Sequence, residues 1–184
     1  MLVREGQRTF VRIAGPRLAS AWTPLPPNGS PVPLYARPAL AVAISVAESS
    51  GRTPSAVRLE MTPRAVALAS TPPSRASGDA GVLEVPPLPR DLVVDYLLSG
   101  PESVPMAGTA RVSEFPRQVV LSSGVALRGR FLSGGDQRLP VSGVRIDATF
   151  LLAGGAHAFV RTGESAADGR FSVPGIANGP VDVL

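Results

Sequence analysis

Residues 125–184 read VALRGRFLSGGDQRLPVSGVRIDATFLLAGGAHAFVRTGESAADGRFSVPGIANGPVDVL. Inside this stretch Val144-Arg145-Ile146-Asp147-Ala148-Thr149-Phe150 alternates apolar and polar without a break. Side chains on a strand point to opposite faces in turn. The pattern therefore predicts a strand with Val144, Ile146, Ala148 and Phe150 on one face and Arg145, Asp147 and Thr149 on the other. Arg170-Phe171-Ser172-Val173 repeats the alternation directly after Asp168-Gly169, a pair that favours a tight turn. Two half-buried strands with turn chemistry between them describe the sheet of a β-sandwich.

Moving outward, the same elements recur earlier in the chain. Residues 77–88, SGDAGVLEVPPL, echo residues 165–176, SAADGRFSVPGI. Val57-Arg58-Leu59-Glu60 echoes Val144-Arg145-Ile146-Asp147, and Pro54 answers to Pro140. The strand recurs after 87 residues and the turn after 88, so the two sets run in step. Self-similarity at a fixed spacing is the mark of a repeated structural unit. The chain therefore reads as all-β, with two tandem antiparallel Greek-key-type β-sandwich modules.

The order of these parts resembles the carboxypeptidase regulatory-like domain, a transthyretin-like β-sandwich. Gly129, Leu139-Pro140, Gly143-Val144-Arg145-Ile146, Asp168-Gly169-Arg170-Phe171 and Pro174-Gly175-Ile176 stand where that family carries its glycines, turns and strands. The chain departs from the pattern at Gly179-Pro180-Val181, where the family has Gly-x-Tyr. The resemblance covers residues 39–184 and is strongest over 124–184. It implies a non-catalytic structural, spacer or display module of a larger secreted or envelope-associated bacterial protein. Two alternatives stay open: a carbohydrate- or protein-binding module, and the periplasmic N-terminal extension of a TonB-dependent outer-membrane receptor.

Three regions follow from this reading. Residues 1–38 hold the alternating run Gln7 to Ile13 and then a proline-dense linker or edge-hugging loop. The run is either the last strand of a preceding module or a strand that joins the first visible one. Residues 39–116 form the first module, with strands expected at Leu40–Val46, Val57–Met61, Leu83–Val85, Leu92–Leu97 and Thr109–Val112. Ala65–Ala69 is expected to continue its sheet. Residues 117–184 form the second module, which the repeat predicts to be truncated, because a closing strand should follow the equivalent of Leu184. A strand at Gln118–Leu121 either completes the first sandwich or connects the two. Val144, Ile146, Phe150, Phe171 and Val173 are the expected inward rows. Phe171→Ala is expected to cost about 3–5 kcal/mol.

Composition supports a β architecture. The chain carries 19 Gly and 20 Pro in 184 residues. Each proline removes a backbone donor and each glycine adds entropy to the unfolded chain, which leaves little room for long helices. There is no cysteine, hence no disulfide framework and no thiolate metal site. The first residues lack the apolar core of a secretory signal, and the most apolar run, Ala39–Ala47, is too short to span a bilayer as a helix. The expected location is nonetheless extracellular or in the cell envelope, as part of a longer chain. All 18 basic residues are arginines and they are scattered singly, so the basic stripe of a nucleic-acid binder is not evident.

No residue set points to catalysis or a cofactor. Zinc peptidase chemistry needs at least two His with a Glu, and His157 is the only histidine. A triad of His157, Asp168 or Asp147 and a serine lacks a Gly-x-Ser-x-Gly elbow. His157, after Gly154-Gly155-Ala156, reads as part of a hairpin. Asp79 and Asp168 read as turn residues bonding nearby N–H groups, and the Asp-x-Asp spacing of a calcium loop is missing. Gly134-Gly135-Asp136 lacks the Lys-Ser/Thr of a phosphate loop. Asn28-Gly29-Ser30 fits a glycosylation triplet but reads as a turn. The residues able to present a ring to a sugar are Trp22, Tyr35 and Tyr96, with Trp22 expected to pack over the proline segment.

Overall fold

The computed structural model describes residues 9–20, 22–64, 74–152 and 157–177, and every absence noted below refers to these. They form strands joined by turns, with no α-helix. The strands are β1 (Phe10–Val11), β2 (Leu18–Ala19), β3 (Thr23–Pro24), β4 (Arg37–Glu48), β5 (Ala56–Pro63), β6 (Ser74–Asp79) and β7 (Val82–Pro89). They continue as β8 (Val93–Ser99), β9 (Met106–Arg111), β10 (Gln118–Leu121), β11 (Val125–Arg130), β12 (Arg145–Leu152), β13 (His157–Glu164) and β14 (Arg170–Ile176). One 3-10 turn, Val112–Glu114, lies between β9 and β10. The all-β expectation holds.

The N-terminal half is a sandwich. One sheet is built on β4, with β7 antiparallel on one edge and β2 and β10 sharing the other. The second sheet runs β6-β5-β8-β9, antiparallel throughout. The alternation in the sequence decides which side chains fill the space between them. Val42, Ile44 and Val46 of β4 are buried, as are Val57, Leu59 and Met61 of β5 and Leu83 and Val85 of β7. Burying one such side chain contributes about 1.5–3 kcal/mol. Val94 and Leu98 extend the same core.

Two features depart from the expected layout. The pairing of β10 with β4 is parallel, Gln118 to Leu121 running beside Ser45 to Glu48. A parallel neighbour needs a crossover; here the chain passes through β5 to β9 between the two strands, and residues 112–117 make the last step from the β9 sheet to the β4 sheet. They drop Val112 and Phe115 into the core on the way, and Val119 and Leu121 follow. The first sheet therefore takes in residues beyond 116, where a boundary was expected. Before β4, the run from Gln7 to Ile13 contributes only the two-residue β1, paired with β3 (Gln7 and Arg8 are outside the described residues). The strand that joins the β4 sheet from this region is β2 instead.

In the C-terminal half β11 pairs with β14 and β12 with β13, both antiparallel. The expected faces of β12 appear: Val144, Ile146 and Ala148 are half-buried while Arg145, Asp147 and Thr149 are exposed. Val173 and Ile176 are buried. Phe171, expected in the core, is only half-buried. Its ring covers Gly129, its cross-strand partner, and stacks on Phe131 at 5.1 Å between centroids. A ring over a strand glycine shields backbone that has no side chain of its own, and here the ring does so while staying partly exposed. Ala65–Ala69, the side chain of Phe150 and the segment after Ala177 fall outside the described residues.

The two halves share details of pairing. β4 pairs with β7 through Leu40–Leu88, then slips at a bulge to Val42–Val85. β11 pairs with β14 through Val125–Ile176, then slips at a bulge to Leu127–Val173. Gly81 and Gly169 immediately precede β7 and β14, with φ of 71° and 77°. A Cβ on Gly81 would land on the Val46 carbonyl oxygen with Pro54 beside it, and one on Gly169 on the Phe131 carbonyl oxygen with Pro140 beside it. Val46 N donates to Gly81 O at 2.6 Å and Phe131 N to Gly169 O at 2.8 Å.

Candidate functional site

Two places bring polar side chains from distant parts of the chain together. The first is the junction between the halves. Only residues 122–124 separate β10 from β11, and that segment is itself paired. Val104 N donates to Ser122 O at 2.8 Å and Gly124 N to Glu102 O at 2.9 Å, with a bridge between Ser103 and Ser123. Arg161 of β13 reaches across, its Nη2 donating to Ser103 O at 2.9 Å and to Gly100 O. Burial pushes the Arg161 guanidinium down from its ordinary value, although arginine stays charged at any ordinary pH. Beneath it, Ser103 Oγ donates to Oε1 of the buried Glu48 at 2.8 Å.

The second place is a cleft of about 330 Å3 at the end of the sandwich where β4 starts, lined by Arg37, Pro38, Arg90, Asp91, Arg111 and Ser113. Arg37 opens β4, Arg90 follows β7 and Arg111 ends β9, so the topology alone gathers them. Arg37 Nη1 meets Asp91 Oδ2 at 2.6 Å, with both side chains more than half exposed. Arg111 Nε lies 3.8 Å from Glu114 Oε1. Exposed pairs of this kind contribute at most about 1 kcal/mol and exchange readily. The cleft thus presents three guanidiniums against one lining carboxylate.

The side chains singled out in the sequence do not gather. His157 opens β13 in a hairpin with β12, as read, and its side chain is outside the described residues. Asp168 is a turn residue, as expected: its Oδ1 accepts from Arg170 N at 3.0 Å. Asp147 lies on the exposed face of β12. Its carboxyl is held below its ordinary value chiefly by a hydrogen bond from Arg145 and then by one from Thr162, against a smaller effect of burial. Gly134-Gly135-Asp136 forms a loop inside the Leu132–Pro140 bridge. Asn28 Oδ1 accepts from Ser30 N at 3.2 Å, which is the turn read from the sequence. Among the described residues there is no cluster of three metal-ligating side chains and no helix long and apolar enough to cross a membrane.

Of the rings considered for sugar stacking, Trp22 lies under the Arg12 guanidinium at 4.8 Å. Tyr96 stacks edge-on against Phe115 at 4.8 Å. Tyr35 stands apart, 75% exposed. The sequence reading missed the arginine cleft because residues 37, 90 and 111 show no local clustering; the strand ends alone unite them.

No protein-family model, curated protein or solved structure matches this chain.

Proposed function

We propose that the chain is a tandem pair of β-sandwich modules of carboxypeptidase regulatory-like type, serving without catalysis as a stiff spacer or display element in a larger secreted or envelope-associated bacterial protein. The duplication is supported by the shared bulge and by Gly81 and Gly169, whose positive φ and contact with a paired carbonyl recur at corresponding places. A chance resemblance of turn motifs would not carry the partner strand's register with it.

The single observation behind the spacer role is the junction. A flexible linker leaves its backbone to water, whereas residues 122–124 are hydrogen-bonded to residues 102–104, and Arg161 of the C-terminal half donates to the Gly100 and Ser103 carbonyls of the same loop. Two bodies joined in this way keep a fixed angle, which is what a spacer requires. Since there is no native cysteine, spin labels at Ser77→Cys and Thr149→Cys would report the distance between the halves by pulsed electron resonance. A single narrow distribution that broadens in Arg161→Ala is the expected result. A broad distribution in the parent chain would sink the spacer reading.

A further inference from the structure

We propose that the cleft between Arg37, Arg90 and Arg111 binds an acidic polysaccharide, its guanidiniums taking the carboxylates of uronate units and Tyr35 stacking on an adjacent sugar face. This site is independent of the spacer reading and lies at the opposite end of β4 from the junction, at Arg37 rather than Glu48.

Four observations carry it. First, the cleft holds three guanidiniums, of which Arg37 is paired with Asp91 and Arg111 lies near Glu114, so Arg90 supplies one net positive charge. Second, Asp91 already sits on Arg37 at 2.6 Å, so a carboxylate fits this surface, and the pair is exposed enough for a ligand carboxylate to replace Asp91. Arg90, by contrast, has no side-chain partner among the described residues, and guanidinium forks match planar carboxylates well. Third, Tyr35 lies two residues before Arg37, within about 7 Å along an extended chain, and is the most exposed of the large hydrophobic side chains. A ring two residues along the chain from Arg37 is within reach of the sugar next to one whose carboxylate Arg37 holds.

The fourth observation separates a glycan from a peptide. Peptides commonly bind by adding a strand to an open sheet edge. Here both edges of β4 are occupied at the cleft: Ala39 N donates to Arg17 O and Arg90 N to Pro38 O, each at 2.9 Å. At β4 recognition is left to side chains, which favours a ligand that offers charge and ring faces; β9, whose Arg111 lines the cleft, is the last strand of its sheet, and oligoglutamate tests strand addition there.

Isothermal titration of the 184-residue chain at low salt tests the assignment, using oligogalacturonate, its uncharged methyl ester and oligoglutamate. Oligogalacturonate should bind at least about tenfold more tightly than the ester, which loses every charge-assisted contact, and added salt should weaken it. Arg90→Gln should weaken it by a similar factor, and Tyr35→Ala should weaken oligogalacturonate while leaving oligoglutamate unchanged. Both residues are exposed, and an unchanged circular dichroism spectrum checks that the variants fold. Equal affinity for acid and ester, or an Arg90→Gln chain that binds like the parent, overturns the proposal. Oligoglutamate binding as tightly as oligogalacturonate, with no effect of Tyr35→Ala, would make the cleft a peptide surface and overturn it equally.

Discussion

The two halves pair β4 with β7 and β11 with β14 through the same bulged register, yet they bury their apolar faces to different depths. In the N-terminal half Ile44, Leu59 and Leu83 are completely buried between two sheets. In the C-terminal half the corresponding faces of β12 and β14 are mostly half-covered, and Val173 and Ile176 are its buried hydrophobics among the described residues. The difference lies in neighbours. β5 is flanked by β6 and β8, and β8 by β9, while the described pairings of β12 stop at β13. Two-stranded ribbons are marginal on their own, and a third strand or a facing sheet is what makes a pleated surface a core. An alternating sequence therefore sets the faces of a strand but not how deeply they are buried.

Substitutions can break or sharpen this contrast. The largest loss should come from Leu59→Ala, about 3–5 kcal/mol, because a fully buried leucine leaves a cavity between two packed sheets. Chemical denaturation followed by fluorescence of Trp22 and circular dichroism would measure it; a loss below about 1 kcal/mol would remove Leu59 from the core. Next come Gly81→Ala and Gly169→Ala, each expected to cost about 2–3 kcal/mol, since an L side chain is strained at these φ values and meets a carbonyl oxygen. Similar costs at the two positions would sharpen the equivalence. A silent Gly169→Ala beside a costly Gly81→Ala would break it.

Phe171→Ala should then cost about 2 kcal/mol, less than a core phenylalanine, because its ring is half-buried over Gly129 and Phe131. A cost as large as that of Leu59→Ala would mean that a further layer covers the ring. The smallest effect belongs to Asp147→Asn and shows as pH dependence. The Asp147 carboxyl titrates lower when folded than when unfolded, so the folded state favours its ionised form. Its contribution is present at pH values above the unfolded carboxylate range and is lost as pH falls through the lower folded value. Denaturation midpoints of the parent chain and Asp147→Asn should differ at neutral pH and converge on acidification. A constant difference would assign the effect to something other than ionisation.

Much of the fold was legible from short-range pattern. Val57, Leu59 and Met61 alternate with Arg58, Glu60 and Thr62, and the inward trio is buried as that alternation requires. Asp79-Ala80-Gly81 had to turn, because Gly81 takes a φ that other residues resist. Phe171 was misjudged for a definable reason: periodicity places a ring on the inner face but cannot say that the residue opposite is glycine. The parallel pairing of β10 was equally hidden, since Gln118–Leu121 alternates the same way whichever strand it joins. The candidate site was the least legible part, because the chain between Arg37 and Arg90 encodes strands and says nothing of where their ends meet.

Left to itself, the order of residues dictated strands, their faces and their turns, because side-chain alternation and backbone dihedral preferences act between neighbours in the chain. Tertiary structure alone decided that Arg37, Arg90 and Arg111 share one cleft and that Arg161 clamps Ser103. Those groupings join residues from 21 positions apart upward, and they exist only once the entropy of closing such loops has been offset by a packed core.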